Sequence, residues 1–343
     1  MMTVNDRRIH TWDIYISSDK RRVCGLQGRE LRNLSVRIKS LGKGENMSRE
    51  KTDNRLCPGK IDLHIHSTFS DGTDTPEQIL EHAREIGLDL FSITDHDALK
   101  AGPVIRSLRK EGDPAFVTGV EFSCKDEKGK YHILGYGYDP EAEAVQSLVE
   151  KSHSYRLEKV HARLDFLRDE YGFDFPEKEI KGLFALENPG KPHLGNLMAR
   201  YGYAGSKDEA ISNYINKCKF RSRYLTPREA IEGILACGGI PILAHPPYGN
   251  GSQMIVGEEL EQRVKRLIGY GLQGLEGFYS RYPAELRSEI LALAQKYHTE
   301  LPYITAGSDY HGSNKRVRLA DTGCPDAAMG PGGLQDFLKN VLQ

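Results

Sequence analysis

The sequence lacks the features that mark secreted, membrane-spanning or zinc-ribbon proteins. Its six cysteines are scattered without any CxxC pair, which argues against a disulfide framework and favours a reducing compartment. No apolar run approaches the roughly 18 residues that a membrane span needs. The first 25 residues also lack the apolar core of a signal peptide. We therefore expect a cytoplasmic protein that makes no membrane contact.

Charge is nearly balanced overall but unevenly distributed. The formal net charge is −1, yet residues 1–60 carry 14 Lys and Arg against 7 Asp and Glu, and the remainder carries 33 against 41. A basic head could contact RNA or an acidic surface, and a solvated tail explains the same imbalance. Apart from a candidate strand at residues 11–16, the pattern predicts that residues 1–59 form an N-terminal extension that is disordered or only partly ordered.

Regular structure is predicted from residue 60, in the stretch KIDLHIHSTFSDG. Apolar residues alternate with Asp62, His64 and His66, so both imidazoles project from one face of a strand. The strand then breaks into a polar run that contains Asp71 and Gly72. This spacing is typical of a metal site at the end of a strand. The alternative is a half-exposed strand with its polar residues outside.

Strands and helices alternate over most of the remaining chain. Strands are predicted at residues 88–94, 115–122, 131–138, 240–244, 272–278 and 303–306, and residues 142–223 show helical patterns with few strand signals. The pattern predicts an α/β fold with a largely parallel sheet or barrel over residues 60–141 and 224–343. Residues 142–223 are predicted to form a helical insertion subdomain.

Nine side chains that can bind metals lie in the predicted strands or just beyond their ends. Because the carboxyl ends of parallel strands meet at one face, residues distant in sequence can converge there. Each residue alone could belong to a polar turn, a surface or a loop; their joint placement favours a multi-metal site. One of the histidines begins its strand, so that strand should run antiparallel or lie at the rim. The nine are His64, His66, Asp71, His96, Glu121, His132, His245, Asp309 and His311.

Two further candidates lie in the helical insertion. Lys191 and His193 form a pair of potential cations that could face an anionic substrate. His193 could equally cap the helix predicted at residues 194–201. The remaining histidines lie in the N-terminal extension, among charged helical residues or after a helix, and we assign them no role.

The motifs HIHSTFSDG, ITDHD, GVE, LAHP and GSDYH together resemble the PHP (polymerase and histidinol phosphatase) family. They occur in family order from Lys60 to about His311. The resemblance implies a distorted seven-stranded (β/α) TIM-like barrel that holds three divalent metals. The sequence is most similar to the stand-alone bacterial branch with a helical insertion. That branch includes phosphatases of nucleoside 3′,5′-bisphosphates and 5′–3′ exoribonucleases that act on short RNA.

Carried over residue by residue, the resemblance also implies a ligand set. His64, His66 and Asp309 would hold one metal, and Glu121 would bridge it to a second metal. A metal-bridging water held by these four residues would attack phosphorus. Imidazole and carboxylate donors without thiolate suit Mn²⁺, Fe²⁺ or Zn²⁺, and Mn²⁺ is the expected cofactor. The second metal would also bind His132 and His245, and the third would bind Asp71, His96 and His311.

The expected function is hydrolysis of a phosphate ester of a nucleotide or short oligonucleotide, without an obligate protein partner. Lys191 occupies a position where branch members often have arginine. Lysine keeps the positive charge but cannot make the two parallel hydrogen bonds that a guanidinium group makes to a phosphate. Histidinol-phosphate phosphatase is an alternative, although the short spacing between the first two motifs and the large insertion weigh against it. A non-catalytic nucleotide- or RNA-binding protein is another alternative.

Overall fold

A computed structural model describes residues 58–251 and 253–342. Residues 1–57, with the strand predicted at 11–16, lie outside the described residues. The described strands are β1 (Ile61–Ile65), β2 (Leu90–Ile93), β3 (Ala115–Phe116), β4 (Gly119–Asp126), β5 (Gly129–Tyr136), β6 (Ile240–Leu243), β7 (Gly274–Tyr279) and β8 (Tyr303–Gly307). The α-helices there are α1 (Pro76–Glu85), α2 (Ala101–Leu108), α3 (Glu143–Tyr171), α4 (Glu177–Phe184), α5 (Lys191–Arg200), α6 (Lys207–Asn213), α7 (Pro227–Ala236), α8 (Gly257–Ile268), α9 (Ala284–Lys296) and α10 (Gly332–Val341).

These strands form two sheets. One has the order β1-β2-β3 and is parallel. The other has the order β4-β5-β6-β7-β8, in which β5 runs antiparallel to both neighbours and β6, β7 and β8 are parallel. His132 lies on β5, so the expectation that its strand runs antiparallel is confirmed. A hairpin between β4 and β5 brings Glu121 and His132 to adjacent strands.

Backbone hydrogen bonds join the two sheets where the predicted ligands lie. The Asp309 N–H, just after β8, donates to the carbonyl of His64 on β1 at 2.8 Å. On the other side, the Glu121 N–H on β4 donates to the carbonyl of Asp95, just after β2, at 3.3 Å. These bonds place motif residues of both sheets next to one another.

Helices pack against the sheets as their apolar periodicity predicts. The sequence TPEQ at residues 75–78 predicts a capping box with proline at the first helical position. The box is present: the Thr75 hydroxyl accepts from the Gln78 N–H, and the Gln78 side chain accepts from the Thr75 N–H. An equivalent box forms between Thr226 and Glu229 at the start of α7. The buried apolar residues of α1 and α7, such as Ile79, belong to the hydrophobic clusters formed with the strands. None of the described helices is long and apolar enough to cross a membrane.

Helices α3 to α6 follow β5 and precede β6 in the chain, as the helical pattern predicted. They contribute to a second hydrophobic cluster, which includes Val160, Leu194 and Ile215. Some boundaries differ from the predictions. The sequence pattern does not predict α4 as a separate helix. It predicts a helix over residues 207–218, whereas α6 ends at Asn213. The single strand predicted at 115–122 is two strands, because β3 pairs with β2 while β4 pairs with β5 in the other sheet.

Candidate metal centre

Strand β1 brings two histidines to the centre of the site. His64 and His66 are fully buried, with ring centroids 5.2 Å apart. Their Nε2 atoms lie 3.3 and 3.2 Å from the carboxylate of Glu121 and 3.6 and 3.4 Å from Oδ1 of Asp309. Both imidazoles therefore project from the same face of β1, as the alternation of its residues predicted, and they converge on the same two acids.

Glu121 lies at the middle of the cluster. Its Oε1 atom is 2.9 Å from His132 Nδ1 and 3.3 Å from His245 Nε2. Its Oε2 atom is 2.9 Å from His96 Nδ1. Together with the two histidines of β1, five imidazoles face one buried carboxylate, and Glu121 belongs to two of the groups whose donor atoms could hold an ion.

Asp71 organises a third group at the edge of the cluster. Its Oδ1 atom lies 3.2 Å from His311 Nε2, 3.9 Å from His66 Nδ1 and 4.0 Å from His96 Nε2. The structure thus brings all nine predicted residues together. Their grouping overlaps more than the sequence implied, since His66 and His96 each reach both Glu121 and Asp71. The sets whose donor atoms could hold one ion are His66, Asp71, His96 and His311; His64, His66 and Glu121; and His96, Glu121 and His132.

Unsatisfied donor atoms show that this cluster fits metal ions. A buried polar atom without a hydrogen-bond partner costs about 1–3 kcal/mol, so such atoms are rare. In the described part of the chain they concentrate here, and each faces another member of the cluster. They include Nε2 of His64, His66 and His311, Nδ1 of His96 and His132, Oδ1 of Asp71 and both carboxylate oxygens of Glu121.

Burial and neighbouring charges set the protonation of these groups. Burial, reinforced by the nearby histidines, lowers the pKa of His66 and of His132 to about 4, so both are neutral at pH 7. Burial opposes ionisation of Glu121, but the imidazoles of His132 and His64 that face its carboxylate hold its pKa well below the usual range. Burial also opposes ionisation of Asp71, but its neighbour His311 holds the pKa of Asp71 well below the usual range. His66 and His132 are therefore neutral while Glu121 and Asp71 are ionised, and these are the forms that bind metals.

Glu276, on β7, is an important partner that sequence reasoning missed. Its Oε1 atom is 2.9 Å from His64 Nδ1, and its Oε2 atom accepts from the His245 N–H at 2.7 Å. The carboxylate fixes His64 with Nε2 toward Glu121, as in carboxylate–histidine–metal triads. A detectable signal was present, because Glu276 is the single acid in an otherwise apolar strand, Gly274–Tyr279, that is buried along its whole length.

Glycine is required where β8 passes these groups. A Cβ atom on Gly307 would lie 2.2 Å from the Cβ of His64 and 2.5 Å from Oε1 of Glu276. Such contacts essentially never occur for real side chains. Gly307 therefore allows β8 to approach β1 closely enough for Asp309 to reach the histidines.

Other buried acids and their donors position the ligand loops. Asp95 accepts from the backbone N–H of Ser67 at 2.7 Å and from the hydroxyl of Ser70 at 2.5 Å, in the loop that leads to Asp71. Asp62 accepts from the Ser308 N–H at 2.9 Å, directly before Asp309, and burial raises the pKa of Asp62 to about 6. These contacts hold the loops that carry two of the ligands.

Asp309 itself is held from two sides. Tyr279 donates to its Oδ2 atom at 2.7 Å and Lys315 at 2.6 Å, which leaves Oδ1 directed at the histidines. Asp309 has φ +59°, and His245 and Asp97 also have positive φ, at +27° and +50°. Non-glycine residues rarely adopt this conformation, and it is concentrated at functional sites.

The helical region contacts the ligand loops directly. Arg156 on α3 donates from Nε to Oδ2 of Asp97 at 2.7 Å and from Nη2 to the hydroxyl of Ser123 at 2.9 Å. Burial opposes ionisation of Asp97, but Arg156 holds its pKa below the usual range. The side-chain amide of Asn188 donates to the carbonyl of His96. Arg156 on α3 and Asn188 in the segment that joins α4 to α5 therefore help to fix the DHD motif at residues 95–97.

A basic pocket opens beside the cluster. Its volume is about 260 Å³, and Asp71, His96 and His132 line one side. A strong positive potential beside a metal cluster favours a phosphorylated ligand. The cationic residues that line the pocket are Lys130, Arg156, Lys159, Arg163 and Lys191.

The two insertion residues predicted to bind substrate have different surroundings. Lys191 lines the basic pocket and donates to the side chain of Asn216. His193 is at the third position of α5, where its Nδ1 accepts from the Gly190 N–H at 3.2 Å. The capping role that the sequence left open for His193 is therefore observed.

An imidazole and carboxylate cluster beside a basic pocket is the arrangement expected of a metal-dependent phosphoesterase. The PHP domain matches residues 62–222. Over 266 residues the chain is 29% identical to the phosphoribosyl 1,2-cyclic phosphate 1,2-diphosphodiesterase of Eggerthella lenta, which covers 75% of this chain and 95% of that protein. Over 264 residues it is 25% identical to the 3′,5′-nucleoside bisphosphate phosphatase of Chromobacterium violaceum, covering 73% and 87%.

A solved structure agrees with these sequence matches. A chain from Bifidobacterium adolescentis, described as a metal-dependent phosphoesterase, superposes with a TM-score of 0.65 at 26% identity and covers 76% of this chain and 90% of its own. The match to the PHP domain, the named relatives and the solved structure bear out the predicted resemblance to PHP phosphoesterases and the predicted enzyme class. The fold is a PHP-like mixed α/β phosphoesterase fold.

Proposed function

We propose that this phosphoesterase hydrolyses a phosphate ester of a nucleotide, either a nucleoside 3′,5′-bisphosphate or a short oligonucleotide. The observation that carries the proposal is the basic pocket, which opens directly onto Asp71, His96 and His132. Arg156 pairs with Asp97, and burial lowers the pKa of Lys159 to about 7. The other three cations, Lys130, Arg163 and Lys191, still suit a substrate with more than one phosphate group. The names of the relatives from C. violaceum and E. lenta agree with a small phosphorylated substrate.

The nine clustered residues would hold three divalent ions, of which Mn²⁺ is our first choice because the donors are imidazoles and carboxylates. His64, His66 and Asp309 would bind one ion, which Glu121 would share with a second. Bound ions would supply Lewis acidity and an acidified water for attack on phosphorus. The second ion would also bind His132 and His245, and the third Asp71, His96 and His311.

The protein's own residues would bind and orient the substrate. Lys191 and Arg163 line the pocket and would bind the phosphate that is not cleaved, so that the reacting phosphate faces the cluster. His193 is mostly buried near Asp71, and burial lowers its pKa. It would be neutral at pH 7, so its proposed contact with the substrate would be a hydrogen bond rather than an ion pair.

We propose three further features on this basis. The two sheets would together form the distorted barrel of the family, supported by the backbone bonds that join them through His64 and Glu121. Residues 142–223 would form an insertion subdomain, supported by their separate hydrophobic cluster. The protein would work in the cytoplasm, because the four cysteines in the described residues are free.

A cyclic phosphodiester of a sugar phosphate is a second candidate substrate. It is favoured by the E. lenta relative, whose name specifies such a compound and which the alignment covers over 95% of its length. Assays of both substrate classes at equal enzyme concentration would separate the candidates.

The direct test combines metal analysis with two ligand substitutions. Protein purified without chelator should contain bound divalent metal. His66→Ala and Asp309→Ala should each lower phosphate release from nucleoside 3′,5′-bisphosphates at least about a hundredfold. His82→Ala is a matched control, since this exposed histidine on α1 lies beside Asp74 and away from the cluster residues. Metal-free wild type, or fully active ligand variants, would contradict the proposal.

A further inference from the structure

We propose that residues 217–224 form a binding surface for single-stranded oligonucleotides, which contacts nucleotides beyond the one held in the basic pocket. We call these residues, KCKFRSRY, the basic segment. The inference rests on the proposed function and specifies how one class of substrate would be recognised. None of the PHP-like motifs described above lies in this segment.

The composition of the basic segment suits a nucleic-acid strand. It contains four cations and no acid. Between Lys219 and Arg221, the aromatic ring of Phe220 is 42% exposed, one of the few large apolar side chains that solvent reaches. Cations that contact phosphates, interleaved with exposed rings on which bases can stack, are the usual means of binding single strands without sequence preference.

The conformation of the segment presents these side chains to solvent. After the short 3₁₀ turn Ile215–Lys217, residues 218–224 belong to no helix or strand. Lys217, Lys219 and Arg221 are exposed, and in the part of the chain that the structure describes none of the three forms an ion pair. These cations are therefore available to phosphates, whereas Arg168 on α3 and Lys181 on α4 each pair with an acid on the same helix.

The position of the segment connects it to the basic pocket. It runs beside α3: Cys218 Sγ lies 3.6 Å from the carbonyl of Ala162, and Arg223 Nε donates to Glu158 at 2.9 Å. The same helix supplies Arg156, Lys159 and Arg163 to the pocket, at intervals that place them on one helical face.

The two ends of the segment reach the pocket lining itself. Tyr224 lines the pocket, and the ammonium group of Lys159 lies 3.3 Å from the centroid of its ring. At the other end, Cys218 follows the 3₁₀ turn that contains Asn216, the acceptor for Lys191. A strand whose terminal nucleotide occupies the pocket would therefore leave it along the basic segment.

The ordinary alternative is that these cations are simply solvated. A solvated surface would need neither an exposed phenylalanine between two cations nor continuity with a basic pocket. Both observations favour a ligand that carries phosphates and aromatic bases, which a nucleotide strand does and an acidic peptide does not.

Direct binding to the full-length protein tests the inference without catalysis. In EDTA, the affinity for a fluorescently labelled, 5′-phosphorylated hexa-adenylate would be measured by anisotropy for wild type and for Lys219→Glu/Arg221→Glu. We expect the variant to bind at least about tenfold more weakly. The slope of log K against log salt should become about 1.4 less steep, because two phosphate contacts are lost. Phe220→Ala should weaken binding by about tenfold with no change in the salt slope.

Matched controls separate this inference from the proposed function. Lys178→Glu/Lys181→Glu makes the same charge change at exposed positions on α4 and should leave hexa-adenylate affinity within about twofold of wild type. Unchanged affinity in the segment variants, or an equal loss in the α4 control, would overturn the inference. Failure of the wild-type protein to release phosphate from any nucleotide would instead contradict the proposed function and leave the binding result valid.

Discussion

At the scale of single residues, the candidate centre depends on side chains that hold the ligands as well as on the ligands. Glu276 is the clearest case, since one buried carboxylate contacts His64 through its ring and His245 through its backbone. In the proposed assignment these two histidines serve different metals. A single positioning residue thus links two metal sites.

Glu276→Gln should weaken metal binding about 10- to 100-fold, the usual effect of losing a carboxylate partner of a metal-bound histidine. The amide keeps the size of the side chain but cannot accept at both oxygens. Isothermal titration of metal-free protein with Mn²⁺ would measure the effect. Glu261→Gln, at an exposed ion pair with Lys296 on the surface, should bind Mn²⁺ as wild type does. Equal affinities in both variants would exclude the positioning role.

Lys191→Ala should raise KM for a nucleoside 3′,5′-bisphosphate about tenfold with little change in kcat. Lys191 would bind the phosphate that is not cleaved equally well in the ground state and in the transition state, so its loss would weaken substrate binding without slowing the chemical step. Lys191→Arg should restore most of the affinity, since it keeps the charge and adds a bidentate fork. Steady-state kinetics would check both variants. A fall in kcat with KM unchanged would place Lys191 at the reacting phosphate instead.

The nine clustered residues could be predicted from the sequence because each lies in a motif or at the end of a predicted strand. Glu276, Arg156 and Asn188 could not, since their partners are set by how α3, β7 and the loop before α5 pack. The strand pattern around Glu276 carried a signal, namely one acid in an apolar strand. Nothing local marked Arg156, which is one of many charged residues in a long helix.

At the scale of secondary-structure elements, α3 connects the helical region to the metal-binding loops. It begins just after β5 and spans 29 residues, with Arg156 near its middle. The Arg156–Asp97 pair is largely buried, with side-chain exposures of 17% and 1%. Because a buried charge without its partner is costly, this pair should fix α3 against the DHD loop.

Arg156→Met should destabilise the protein by about 3 kcal/mol, since it leaves the Asp97 carboxylate buried and unpaired. Urea unfolding of metal-free protein would measure the change. Adding Asp97→Asn should recover much of the loss, because the second substitution removes the unpaired charge. Additive losses in the double variant would contradict a direct interaction.

The elements themselves were largely predictable, and their pairing was not. Proline-initiated capping boxes at Thr75 and Thr226 identified two helix starts. The strand predicted at 115–122 could not be divided from sequence, because alternation does not reveal that β3 and β4 pair in different sheets. Helix α4 is only eight residues long, and its start at Pro176 lacks a side-chain cap, which explains why its pattern was not recognised.

At the scale of the whole molecule, metal binding is expected to depend on pH. Although burial opposes it, the charges of Glu121 and Glu276 hold the pKa of His64 well above the usual range in the metal-free protein. Burial also opposes the raised pKa of His96, whose main charged neighbours are Glu121 and Asp71. Metal must displace the protons of both histidines, so binding should strengthen as pH rises.

Mn²⁺ should therefore raise the melting temperature more at pH 8 than at pH 6. The protonated His64 stabilises the metal-free fold below its unfolded-state pKa, and this contribution is lost as pH rises through its higher folded-state pKa. The free energy of unfolding of the metal-bound protein increases over the same pH range. Mn²⁺ binds the native state more tightly as pH rises, and tighter binding to the native state stabilises it more. Differential scanning fluorimetry with and without Mn²⁺ would measure both shifts. A Mn²⁺-induced shift that is larger at pH 6 would contradict the assignment of these ligands.

Hydrolysis of a substrate panel by metal-loaded protein tests the central claim most directly. Chelator-treated protein would be given Mn²⁺ and assayed for phosphate release from nucleoside 3′,5′-bisphosphates and for mononucleotide release from 5′-phosphorylated oligonucleotides. Ring opening of a cyclic sugar phosphodiester would be measured as well. Histidinol phosphate would be assayed in parallel. We predict Mn²⁺-dependent turnover that is fastest on a nucleotide substrate. Stoichiometric metal binding without turnover of any nucleotide in the panel would contradict it.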